Sequence, residues 1–138
     1  MPLHWTMDSR LQLFVATCDG NVDLTEVNNM LDAIVGANGL VFRKLFDGTH
    51  GETKMTALEI LTVGVRIREL QSEAVDHGPL AIVVPDDKYV LLSRVLGILA
   101  AARRPMRVFK GADRARKWLD SPAIRASLPA IDGPAALR

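Results

Sequence analysis

The chain of 138 residues has one cysteine, Cys18, so no internal disulfide can form and the fold does not depend on oxidising surroundings. Aromatics number seven, which leaves few platforms for stacking on single-stranded bases. The longest apolar run, Val95–Ala102, is far short of the roughly 20 residues of a membrane span. The opening MPLHWTMD lacks the basic and then apolar pattern of a secretory signal. Neither sign of charge is in excess, with 17 basic and 16 acidic side chains, so there is no general attraction to nucleic acid. A cytoplasmic protein with no transmembrane segment and no nucleic-acid partner is expected.

Signatures of chemistry are missing as well. No G-x-S-x-G elbow offers an acyl-transfer nucleophile. His4, His50 and His77 fall in no HxH or HxxxH arrangement, so no metal site is expected. The loop Gly48–Lys54 lies where a phosphate loop would. However, Thr53 precedes Lys54 and Met55 follows it, where that loop needs Gly and then Ser or Thr. Asp86 and Asp87 are adjacent and diverge, which suits a paired acid and base poorly. No enzyme and no cofactor is expected.

What is present is a segregation of charge. Residues 1–102 carry 8 basic and 13 acidic side chains. Residues 103–118 carry seven basic ones (Arg103, Arg104, Arg107, Lys110, Arg114, Arg116 and Lys117) against Asp113 alone. An acidic body therefore bears a basic block.

Periodicity orders the elements as ββαβαβαβα. Trp5–Met7 and Arg10–Thr17 read as a hairpin turning at Asp8-Ser9, with Cys18–Asn21 ending the second strand. Asp23 and Glu26 open a helix whose Val27, Met30, Leu31, Ile34 and Val35 share one face. Leu40–Phe46 is a strand and 47–51 a loop. Thr56 and Glu59 form a capping box that starts a helix running to about Val75. Leu80–Val84 is a buried strand, residues 88–102 a helix, Met106–Phe109 a strand, and a short helix ends near Leu119. Residues 121–138, rich in Ala and Pro, read as a flexible tail with room for one short helical turn, leaving residues 1–120 as the single domain. Strands joined by helical crossovers are parallel, so the class is α/β with a mixed five-stranded sheet. Strand order stays open.

Ala81–Asp87, Arg107–Lys110 followed by Ala112, Ala115, Trp118 and Leu119, and the hairpin leading through Gly20 into a capped helix together resemble the SpoIIAA-like branch of the STAS fold. The resemblance spans roughly residues 5–120. It implies a regulatory domain that acts through a protein partner. Related SpoIIAA-like and CRAL-TRIO-like domains imply a small apolar ligand or lipid as the alternative. Phosphorylatable STAS members carry a serine, usually within Asp-Ser-Ser-Gly, where this chain has Met55-Thr56-Ala57-Leu58. Thr56 is thus the phosphorylation candidate by position, in a pattern that departs from the family's.

Two surfaces are candidate sites. In parallel α/β sheets the carboxyl ends of the strands face the usual crevice. That rim gathers Asp19, Asp47, Thr49, His50, Thr56, Asp86 and Asp87, several of which also serve as helix caps. The seven cations of the basic block form the second surface, suited to an acidic protein or an anionic headgroup. An apolar ligand would need a cavity lined by residues such as Leu61, Val65, Leu92 and Leu96, which otherwise read as core. Tyr89, Leu91 and Leu92 suggest self-association, making a homodimer an expected assembly.

Overall fold

The structure, a computed structural model, describes residues 2–52, 54–71, 78–84 and 105–126. Five strands form one sheet in the order of the chain: β1 (Leu3–Asp8), β2 (Leu13–Asn21), β3 (Arg43–Glu52), β4 (Leu80–Val83) and β5 (Met106–Phe109). β1 runs antiparallel to β2, and β2 to β5 are mutually parallel. The helices are α1 (Leu24–Gly36), α2 (Ala57–Gln71), α3 (Ala112–Leu119) and α4 (Pro122–Ala126). The helix expected over 88–102 lies outside the described residues.

Alternation along the strands divides the core in two. Leu3, Phe14, Ala16 and Cys18 face α1, meeting Val27, Met30, Leu31 and Ile34, with Val63 of α2 beside them. Leu13, Leu45, Ala81 and Val83 face the other way and are covered by Ala115 and Leu119 of α3 and Ile124 of α4. Each fully buried leucine stabilises the fold by roughly 1.5–3 kcal/mol. Arg66 of α2 clips the helices together. Its Nη1 donates to Asn28 Oδ1 at 2.9 Å and its Nη2 to Asp32 Oδ1 at 2.5 Å.

Several boundaries differ from the sequence pattern. Residues 10–12 are turn rather than strand. Asp8 Oδ1 accepts the N–H groups of Arg10 (2.9 Å) and Leu11 (3.0 Å), and Gln12 takes φ +50°. At the far end β2 continues to Asn21, and β3 starts at Arg43 and continues to Glu52, so the expected loop 47–51 is strand. Glycine permits this. A Cβ at Gly48 would lie 2.8 Å from Val83 O, and one at Gly51 would collide with Cys18 Cβ. Val35 is exposed, although it lies in the apolar periodicity of α1. Leu61 and Val65 are exposed on α2 rather than core. Ile124 is buried, so the segment after Ser121 begins as an anchored turn of helix.

The start of β3 carries a feature the pattern concealed. Arg43 is only 1% exposed. Its Nη1 donates to Leu119 O (3.0 Å) and Asp120 Oδ1 (2.8 Å), and its Nη2 donates to Leu11 O (2.7 Å). One guanidinium thereby ties the β1–β2 turn to the end of α3. Lys44 next to it is also buried, with Nζ donating to Leu40 O (2.5 Å) and Phe42 O (2.9 Å).

Candidate functional site

The carboxyl ends of β2 and β3 bring part of the expected rim together. Asp47 pairs in register with Thr17 and Val83. Thr49 folds back on it, its N–H (3.0 Å) and Oγ1 (2.5 Å) both donating to Asp47 Oδ1. The register then shifts by one residue, Gly48 and Thr49 together opposing Cys18, and resumes with Asp19 opposite His50. The shift turns Thr49 and His50 out to solvent. Thr56 closes a reciprocal capping box: Glu59 N–H donates to its Oγ1 (3.1 Å) and its own N–H donates to Glu59 Oε1 (3.0 Å). Asp86 and Asp87 lie outside the described residues.

Cys18 sits beneath this rim, its side chain against Gly51. Burial, reinforced by the charges of Asp47 and Glu26, pushes its thiol up to about 12. A neutral, enclosed thiol is a poor nucleophile. Among the described residues no group of three or more His, Cys, Asp or Glu side chains could hold a metal ion.

The basic block divides in the structure. Arg107, Lys110, Arg114 and Lys117 line one open groove at the end of β5, and Thr49 from the strand-end rim borders the same groove. The two surfaces distinguished in sequence therefore meet. The alternation of β5 and the 3.6-residue period of α3 explain the convergence. Arg107 and Phe109, two residues apart on β5, share the face on which α3 packs, where Arg107 stays exposed, while Ala115 and Leu119 take the buried side of α3, leaving Arg114 and Lys117 outward. The floor is aromatic. Phe109 and Trp118 lie with ring centroids 5.7 Å apart at 50°, and the Arg107 guanidinium sits 5.5 Å over the Phe109 ring. Gly111, the N-cap of α3, makes no side-chain capping bond, so the positive end of that helix faces the groove with it. Among the described residues Asp113 is the one acidic residue on the groove wall.

Arg116 points elsewhere. Its Nε lies 3.9 Å from Asp120 Oδ2, the carboxylate whose other oxygen serves Arg43. It belongs to the structural staple and not to the groove. Arg103 and Arg104 lie outside the described residues, as do Tyr89, Leu91, Leu92 and Leu96.

No protein-family model matches this chain, and no curated protein matches it. Among solved structures, an uncharacterised DUF3478-family protein from Shewanella loihica, described as having a SpoIIAA-like fold, aligns with a TM-score of 0.54. The alignment covers 85% of this chain and 91% of that one at 15% identity. The chain has a SpoIIAA-like fold. Its five-stranded mixed sheet bears out the α/β class and the SpoIIAA-like resemblance of the hairpin and the closing strand–helix segment. At this identity the likeness to the SpoIIAA-like neighbour extends to the fold alone. No helix among the described residues is long and apolar enough to cross a membrane.

Proposed function

We propose that this SpoIIAA-like domain is a non-enzymatic binding module that regulates through a protein partner, and that the partner presents an acidic segment to the groove between β5 and α3. The observation that carries the reading is the convergence of Arg107, Lys110, Arg114 and Lys117 on one open groove with a Phe109–Trp118 floor. Arg over an aromatic face combines charge with apolar contact, the combination enriched where protein interfaces concentrate their binding energy. The first N–H groups of α3 add donors for a carboxylate. Arg107, Arg114 and Lys117 reversed to Glu should abolish recovery of a stoichiometric partner from native-source lysate, whereas Arg116→Glu should leave it. Equal recovery by both variants would contradict the reading.

A second reading, carriage of a small apolar ligand or lipid, draws on the exposed stripe Leu58, Leu61 and Val65 of α2. Native mass spectrometry of the protein purified from its source should then show a co-purified apolar molecule, and its repeated absence would oppose this reading.

A further inference from the structure

We propose that β1 is a homodimer strand, pairing antiparallel with β1 of a second copy about a two-fold axis beside Trp5. Asp19 N–H donates to Pro2 O at 2.6 Å, so Pro2 and Asp19 form a hydrogen-bonded pair. Hydrogen-bonded and non-hydrogen-bonded pairs alternate along an antiparallel ladder. With the observed register, His4, Thr6 and Asp8 then bond to β2, while Leu3, Trp5 and Met7 turn their N–H and C=O groups away from it. The far side of β1 is the edge of the sheet. Among the described residues nothing pairs with it.

Edge strands are ordinarily protected by brevity, Lys or Pro on the edge, a bulge, or a covering element. β5, at the opposite edge, has four residues and an exposed Arg107. β1 has six residues in unbroken register, with no Lys, Arg or bulge.

The outward set Leu3, Trp5 and Met7 is symmetric about Trp5, as a two-fold pairing requires of a strand. Trp5 would face the partner's Trp5, and Leu3 the partner's Met7, so that every outward N–H meets an outward C=O. Side chains agree with the same register. Leu3, Trp5 and Met7 lie on the α1 face, where Trp5 and Met7 remain half-buried, and the partner's copies would cover them. On the opposite face His4 meets the partner's Thr6, with no like charges opposed. The product is a continuous sheet across two copies. Self-pairing is favoured over capture of an unrelated peptide because register, apolar face and polar face are all complementary to themselves.

Sedimentation across a concentration series, combined with amide exchange at Trp5, tests the inference. The wild type should dimerise, with the Trp5 N–H protected in the dimer and exposed on dilution. His4→Lys/Thr6→Lys, at two exposed positions that leave the core intact, sets like charges opposite one another twice and should weaken the dimer roughly tenfold. His4→Glu/Thr6→Glu should do the same, and mixing the two variants should restore dimerisation. A monomer at all concentrations, undiminished dimers of either variant alone, or a Trp5 N–H protected only by a strand from another protein would overturn it.

Discussion

Arg43 and Asp120 meet at 2.8 Å, Nη1 to Oδ1, across 77 residues of chain. The arginine is buried and the aspartate is half-exposed. Around this pair the start of the central strand, the hairpin turn and the end of α3 are fastened at one point. Removing the arginine leaves the carbonyls of Leu119 and Leu11 without their donor. Arg43→Ala should therefore cost about 3–5 kcal/mol in urea unfolding, near the range for breaking a buried pair. Asp120→Ala removes a solvated partner and leaves two carbonyls engaged, so it should cost roughly 1–3 kcal/mol. A loss on Asp120→Ala equal to that on Arg43→Ala would mean that the carbonyl bonds contribute little.

Two glycines should respond in opposite directions to the same substitution. Gly36 ends α1 with nothing within 4 Å of an added Cβ, so Gly36→Ala should stabilise by about 0.5–1 kcal/mol. Gly51 lies against the Cys18 side chain, and Gly51→Ala should lower the urea midpoint by forcing β2 and β3 apart where the rim is built. Thermal melts of the two variants should move apart from the wild type.

Cys18 should make stability fall at alkaline pH. Its thiol is raised from 9.0 to about 12 by burial and by the carboxylates of Asp47 and Glu26. The unfolded chain releases this proton first as pH rises. The contribution is thus whole below about pH 9 and is lost progressively between about pH 9 and pH 12. Cys18→Ala should flatten the urea midpoint across that window. In the native protein the enclosed thiol stays protonated at pH 8, so a disulfide reagent should label Cys18 only after unfolding.

The fold was legible where apolar spacing and capping residues agree. Asp23 capping Glu26 N–H and the Thr56–Glu59 box are both present at the expected positions. The ends of β2 and β3 were not legible. Asp19, Gly20, Asp47 and Gly48 are turn-forming residues, yet here glycine lets two backbones close on one another and prolongs the sheet. Arg43-Lys44 inside an apolar strand was a local sign of buried cations, but their acceptors lie far along the chain. The basic block was visible as charge. Its division into a groove set and the staple residue Arg116 depends on which side of α3 packs against β4, a tertiary fact.

In the proposed function the β5–α3 groove receives the partner. A photo-crosslinking residue in place of Asp113, on the groove wall, tests it most directly against one in place of Asn29, exposed on α1. In native-source lysate the Asp113 position should yield a discrete crosslinked species that disappears when Arg114 and Lys117 are reversed to Glu, and the Asn29 position should yield none. A species that forms equally from Asn29, or that survives the charge reversal, would contradict the account.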